Sequence, residues 1–435
     1  MDRASSNVSI APLLAVNFVG TLGFSIVTPF LVVLVAKWGG NAVVYGILAA
    51  TYSFFQLFGA PVLGKMSDRI GRRRVLLLSQ LGTLLSWGVF LIAFALPAAE
   101  IWDVKNRWLG DFVLTLPLVV LFLARAADGL TGGNVSVSNA YLADITSEAD
   151  RSKNFGKMAV SSNLGFVLGP ALAGILGATL LGELLPVLAA FTISAAALAL
   201  IRFGLVETTP STITETLGQP TACDLYGHEH KPAYPIECKK ADGINAILEL
   251  PNMPALLAVN FLVMLGFSFF YVAFPVHAVD RLGCSVTEIG IYFAVLSMAM
   301  IVVQGPVLAR VSQRYNDRAL MSVGGVFLAA GFAALYSPSI TLIYIAAGLV
   351  ALGNGLMWPT FMTVLSKAAG PRLQGASQGF AQSAGAVASI FGLIAGGVFY
   401  VSVGAVLFPV AAVIILLSAV LAATYRPIEA ASASN

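Results

Sequence analysis

Two stretches of this chain are near copies of each other. Leu13–Ser25 reads LLAVNFVGTLGFS and Leu256–Ser268 reads LLAVNFLVMLGFS; only Val19, Gly20 and Thr21 differ, at a constant offset of 243 residues. A second echo follows: Pro61–Arg69 reads PVLGKMSDR and Pro306–Arg314 reads PVLARVSQR. The chain is therefore two related halves in the same order, each opening on an apolar segment and each carrying a basic loop. Such duplication implies two similar bundles with a ligand site at the seam between them.

The bundles are those of a membrane protein. Hydrophobic residues make up 58% of the chain and charged residues 10%, against roughly 45–50% and 25% in soluble domains. The apolar runs are continuous rather than alternating, which argues for helices and against a barrel. Twelve runs are long enough to span lipid: 10–36, 42–63, 75–97, 112–142, 156–180, 184–204, 253–279, 287–309, 319–337, 340–366, 374–400 and 403–424. Six precede the polar segment 205–252 and six follow it. The expected fold is an all-α membrane protein of twelve transmembrane helices in two six-helix bundles, 1–204 and 253–435, joined by a linker at 205–252.

Orientation follows from lysine and arginine. Nineteen of the 24 fall on the side that holds both termini and the linker; Lys37, Lys105, Arg107 and Arg281 fall on the other, and Arg125 lies within a span. Both termini are expected in the cytoplasm, and the net charge of +3 is a topology signal that gives no reason to expect nucleic-acid binding. The first span lacks a cleavage site and is read as retained. Cys223, His228, His230 and Cys238 could supply four metal ligands, but Cys-x4-His-x-His-x7-Cys fits no usual zinc finger, and the prolines around it suit a linker. No metal and no cofactor are expected. Gly59–Met66 nearly spells a phosphate-binding loop, yet Met66 stands where a hydroxyl is required and no strand precedes it.

The loop after the second span reads Gly64-Lys-Met-Ser-Asp68-Arg69-Ile-Gly71-Arg72-Arg73-Arg74. It resembles the signature G-x-x-x-D-R-x-G-R-R of the major facilitator superfamily; the second-half copy has Gln313 for the acid and Asn316 for the second glycine. Arg125-x-x-x-Gly129 in span four resembles that superfamily's R-x-x-x-G motif. Ala140–Thr146, with Asp144, resembles the end of span four in tetracycline-exporter-like drug/proton antiporters. Gly165-x-x-x-Gly169-Pro170-x-x-x-Gly174 resembles their span-five motif. The resemblance implies a twelve-span transporter, a cytoplasmic gate made by Gly64, Asp68, Arg69, Gly71, Arg72, Arg73 and Asp144, and export by exchange with protons. For the span-five motif, plain helix packing through small residues is the competing reading.

One acid lies deep in a span, Asp128, and Arg125 is one turn before it on the same face. Charges at that depth cost about 2.5–3.5 kcal/mol each on insertion scales, so they need a reason. The pair is the candidate proton-coupling site; the alternative is a structural ion pair fixing span four to its neighbours. Tetracycline exporters of this type carry acids in spans one and three, whereas this chain has Asn17 in span one and Ser79, Gln80, Thr83 and Ser86 in span three. The twin amides Asn17 and Asn260, with Gln56, Asn163, Tyr271, Gln304, Asn354, Trp358 and Gln378, form the candidate substrate cavity. Its amides and aromatics suit a neutral or lipophilic solute, although helix–helix hydrogen bonding would account for any one of them. His277 is expected near the outer end of span seven, in an interfacial position.

The reading is a proton-coupled exporter of small, largely lipophilic or neutral compounds, monomeric, in a bacterial inner membrane, with the solute, protons and lipid as its partners. Uptake or facilitated diffusion of a metabolite is the alternative on the same fold, and a non-transporting membrane sensor or scaffold the alternative of another class. No convergent set of catalytic residues suggests an enzyme.

Overall fold

In the computed structural model the described residues are 9–106, 109–132, 134–146, 148–207 and 247–424. The side chains of Asp68, Asp144, Asn163 and Gln378, and the set Cys223, His228, His230 and Cys238, lie outside the described residues. Apolar runs in lipid must satisfy their backbone internally, and here they do so as helices. The first half comprises α1 (Ala11–Ser25), α2 (Val27–Lys37), α3 (Ala42–Ile70), α4 (Arg72–Ala95), α5 (Leu116–Thr131), α6 (Asn134–Ile145), α7 (Glu148–Gly177) and α8 (Leu184–Gly204). The second comprises α9 (Met253–Asp280), α10 (Val286–Val302), a π turn (Val303–Val307), α11 (Leu308–Val311), α12 (Asp317–Ala334), α13 (Ile340–Val403) and α14 (Leu407–Ala423).

Ten helical runs among the described residues are long and apolar enough to cross a bilayer, and every predicted span has a helix beneath it. Two differences together account for ten runs against twelve predicted spans. The predicted span 112–142 is interrupted at Gly132, where α5 ends and α6 begins. The last apolar run, Ser383–Ala423, holds two predicted spans.

The 64-residue helix α13 is also two spans. A Cβ on Gly331 would meet Val350, one on Gly353 would meet Leu328, and one on Gly324 would meet Met357, so this part runs antiparallel to α12. Gly385, Gly392 and Gly396 sit against Asn260, Ser268 and Phe269, so the later part runs parallel to α9. Phe332 of α12 stacks on Phe270 of α9, which puts residues 350 and 392 at similar depth. In a straight helix they would be about 63 Å apart. The run therefore doubles back between residues 357 and 385.

The structure also corrects the start of span four. Residues 112–115 are strand: β1 (Glu100–Asn106) and β2 (Gly110–Thr115) form an antiparallel hairpin, and the helix starts only at Leu116. The hairpin is tied to the α2–α3 turn. Val113 N–H donates to the Gly39 carbonyl at 2.8 Å, the Thr115 hydroxyl to that of Trp38 at 2.8 Å, and the Asn41 amide to that of Leu109 at 2.8 Å. Asn41 simultaneously caps α3, accepting from Val43 and Val44.

Contacts between the halves cluster at this hairpin end. Helix α7 crosses α10 where Gly174 faces Gly290; a Cβ on Gly290 would lie 2.7 Å from the Gly174 Cα, and the Thr287 hydroxyl donates to the Gly174 carbonyl at 2.9 Å. Helix α3 crosses α13 where Gly46 meets Leu393 and Gly397 meets Ala42 and Val43. Proline supplies a third link. Pro275 has no N–H to offer the carbonyl four residues earlier; that carbonyl, Tyr271, instead accepts from the Tyr45 hydroxyl of the other half at 3.4 Å. The hairpin turn adds a fourth, since Gly110 (φ +71°) abuts Val401.

Candidate functional site

Close helix approach builds the site around Asp128. Gly129 lets α5 lie against α3, where a Cβ would strike the backbone at Tyr52 and the Phe55 Cβ at 2.9 Å. Gly82 lets α4 lie against α5 at Thr131. The first contact places the Tyr52 ring beneath the Arg125 guanidinium, 4.7 Å from its centre, a cation–π distance. The second brings Thr83 to the same cavity wall as Asp128. Arg125 and Asp128 are 7% and 8% exposed, with Nη1 and Oδ2 3.6 Å apart. That is longer than the 2.7–2.9 Å of a charge-assisted hydrogen bond. The pair attracts without locking, and the Arg125 Nε is buried with no partner.

Asp128 opens into a cavity of about 370 Å³ enclosed by α1, α3, α4, α5, α6, α7 and α8, wholly inside the first half. Among the described residues that line it, Asp128 is the one charged side chain. Phe24, Tyr52, Trp87 and Phe166 give the walls aromatic faces, and Asn17, Gln56, Gln80 and Asn134 line it with amides. Those amides are held in place. Gln80 Nε2 donates to the Ser194 hydroxyl at 2.7 Å and its Oε1 accepts from Asn134 at 3.0 Å. Gln56 Nε2 donates to the Gly132 carbonyl at 2.9 Å, which the break between α5 and α6 leaves outside the helical ladder. Chemically, the pocket offers a polar or aromatic molecule stacking faces, fixed hydrogen-bond groups and one carboxyl able to exchange a proton.

The predicted cavity residues divide. Asn17 and Gln56 line this cavity. Asn17 also donates to the Ser162 hydroxyl at 2.7 Å and the Met158 carbonyl at 3.1 Å, tying α1 to α7. Its twin Asn260, 3% exposed, donates to the Ala381 carbonyl at 2.6 Å, tying α9 to α13. The repeat thus places the two amides in equivalent roles inside their own halves. Tyr271, Gln304, Asn354 and Trp358 lie in the second half and do not reach this cavity. Tyr271 stacks on Phe293, Trp358 on Phe361, and Asn354 points its amide at the Met300 sulfur at 3.6 Å. Gln304 sits in the π turn, a distortion that frequently marks functional positions.

The span-five motif divides by neighbour. Gly165 and Gly169 pack α7 on α1, with the Ser25 hydroxyl donating to the Gly165 carbonyl at 2.8 Å, whereas Gly174 faces the other half; the Pro170 carbonyl also borders Gly290. In the basic loop, Gly64 is next to nothing a Cβ would touch, and its carbonyl accepts from the Ser67 hydroxyl at 2.7 Å. Gly71 turns the chain at φ +105°, where a side chain would be strained and would strike Glu207. Arg72 is buried and donates to the Ser67 hydroxyl at 2.6 Å. The Arg73 N–H donates to Glu207 Oε1 at 3.0 Å, its side chain reaches the Ile201 and Arg202 carbonyls, and Arg74 approaches Glu207 at 3.8 Å. Arg73 and Arg74 are gathered by the end of α8 and by Glu207 just beyond it, in their own half.

Sequence reading missed Glu207, Thr83's place beside Asp128, and Tyr52, Trp87 and Phe24 as walls. Thr83 is visible as a polar residue of span three, but the face it occupies follows only from the packing of α4 on α5 at Gly82.

The description Major Facilitator Superfamily matches residues 13–304 and again 256–435; the second match starts at the repeat partner of Leu13. The chain belongs to that superfamily, whose members are transporters and not enzymes. It is 26% identical over 395 residues to the tetracycline resistance protein, class C, of Escherichia coli, covering 89% of this chain and 88% of that protein. Its fold is similar to that of the human organic anion transporter MFSD10 (TM-score 0.64, 21% identity, 97% of this chain and 100% of that one). It is also similar to that of the nucleoside transporter NupG (TM-score 0.64, 12% identity, 95% and 98%).

Proposed function

We propose that this chain exports small, largely lipophilic or neutral compounds in exchange for protons, with Asp128 as the proton carrier and Arg125 as its counter-charge. One observation carries the reading: a carboxyl buried in span four, loosely paired, faces a cavity of amides and aromatic rings. A deprotonated Asp128 is held by Arg125 and the field of the site while solute occupies the cavity. A proton arriving from outside neutralises it as solute leaves. Bundles 1–204 and 253–435, linked by 205–252, rock about the glycine crossings, and the conformation described above is then the one closed toward the outside. The charge distribution supports cytoplasmic termini, and likeness to tetracycline resistance proteins supports export from a bacterial cell through its inner membrane by a monomer. The signature loop, with Asp68 and Asp144, closes the cytoplasmic side in the opposite state. The cavity residues Asn163, Gln378, Gln304, Asn354 and Trp358 complete the solute path as the seam moves.

A second reading, uptake or facilitated diffusion of a small polar solute, draws on the unpartnered Arg125 Nε, a donor for an anionic or carbonyl group. Everted vesicles separate the two. Under an inward-acidic gradient, accumulation of compounds picked from a susceptibility screen in an efflux-deficient host is the expected result, and Asp128→Asn should abolish it with normal membrane insertion. Full proton-coupled accumulation by that variant would overturn the assignment of Asp128.

A further inference from the structure

At the hairpin end the seam holds a second cavity, about 700 Å³, lined from both halves by Asn41 and Ala42 and by His277, Asp280, Arg281, Tyr336 and Tyr400. His277 is 5% exposed. Its Nδ1 lies 3.1 Å from the Tyr400 hydroxyl, and Phe408 packs edge-on to its ring at 5.3 Å. Its Nε2 is buried and has no partner. The ring sits two residues beyond Pro275, on the helix whose Tyr271 carbonyl makes the link to Tyr45 of the other half. No step of the proposed exchange uses it.

We propose that His277 is a proton-binding site of the outward seam, and that binding there favours the open seam. The inference rests on the exchange reading for the identity of the driving ion and for which end faces out. The argument is one of hydrogen-bond accounting. With the neutral ring's proton on Nδ1 and shared with the Tyr400 hydroxyl, a second proton on Nε2 finds no acceptor while the seam is closed, and a buried donor left unpaired is penalised. The charged groups around the ring are Arg281 and Asp280 on its own helix; α13 contributes the phenol of Tyr400, the segment after α12 that of Tyr336, α3 the uncharged Asn41 and α14 only Phe408. Arg281 stands nearby as a like charge, and Asp280, one turn on, is exposed toward the cavity mouth. Parting the seam gives the N–H water. Binding that is stronger in one state shifts the population to that state. External acid would then open the outer side and load Asp128 from the same direction.

The chain has three histidines, and His228 and His230 lie in the linker. The double variant H228Q/H230Q therefore isolates His277 for nitrogen-15 NMR in liposomes, while spin labels at Leu180 and Ser339 report the outer seam by pulsed EPR. External acidification between about pH 8 and pH 5 is expected to convert the ring to imidazolium and lengthen the label distance. His277→Gln, whose amide can still meet Tyr400, should lose that pH response and keep Asp128-dependent exchange; Tyr400→Phe should move the titration. A ring unchanged across that range, or a full seam response in His277→Gln, would overturn the proposal. Loss of the exchange reading shows up separately, as unaltered coupling in Asp128→Asn.

Discussion

The crossing of α7 and α10 gives the sharpest test of a moving seam. Replacing Gly290 by alanine adds one methyl. Its carbon would lie 2.7 Å from the Gly174 Cα, 2.7 Å from the Pro170 carbonyl oxygen and 2.8 Å from the Gly174 nitrogen. All three are backbone atoms, so no side chain can yield, and the helices must part by about 1 Å to reach ordinary contact. Overpacking of this kind costs about 1–3 kcal/mol. The alanine is a burden only while the crossing is closed, so the closed population should fall about 5- to 150-fold relative to the open one. Pulsed EPR between labels at Leu180 and Ser339 reads that ratio directly. Gly348→Ala is the control: nothing lies within 4 Å of its Cβ, and a helical glycine-to-alanine change there should stabilise by about 0.5–1 kcal/mol without moving the labels. An unchanged distance distribution in Gly290→Ala, with the protein folded, would refute a seam that opens at this crossing.

Other outcomes follow from the same geometry. Gly46→Ala, at the α3–α13 crossing, should shift the population in the same direction, and the double variant with Gly290→Ala should add, because the sites share no partner. Gln80→Leu strips partners from Asn134 and Ser194 inside the first half and should lower stability by about 1–3 kcal/mol, seen as a fall in Tm in detergent. Glu207→Ala should loosen the basic loop, raising protease cleavage near Arg73. Most of that effect comes from the lost acceptor of the Arg73 N–H rather than from exposed Arg74, whose ion pair is worth little. Arg125→Ala leaves Asp128 without its counter-charge and should cost about 3–5 kcal/mol in the deprotonated form, read as a collapse of transport at neutral pH that is relieved as the pH is raised.

Much of the architecture was legible because it is written in long apolar runs and in a repeat. LLAVNF occurs twice, and the structure gives Asn17 and Asn260 matching partners, spans five and eleven. The hairpin was not legible, because Asp111–Thr115 continues without a break into the apolar run and its strand character comes from docking on Gly39 and Trp38. The doubling back of α13 was anticipated as two spans, yet nothing in the sequence told that the backbone would stay helical on both sides of the turn. At the site, Arg125 and Asp128 stood out because charge is costly in lipid. Their companions did not: Thr83, Tyr52 and Trp87 are ordinary residues in apolar helices, and which face they occupy depends on the glycines opposite. Glu207 was hidden for another reason, since a lone acid beyond a span looks like any solvated charge until Gly71 turns the loop onto it.

Proton release on solute binding tests the central claim most directly. Purified protein in weakly buffered detergent, mixed with a compound that the susceptibility screen identifies, should release about one proton per molecule bound, as reciprocal linkage between the two sites requires, and Asp128→Asn should bind the compound and release none. Equal release from the variant and the unaltered chain would place the coupling proton elsewhere and contradict the account.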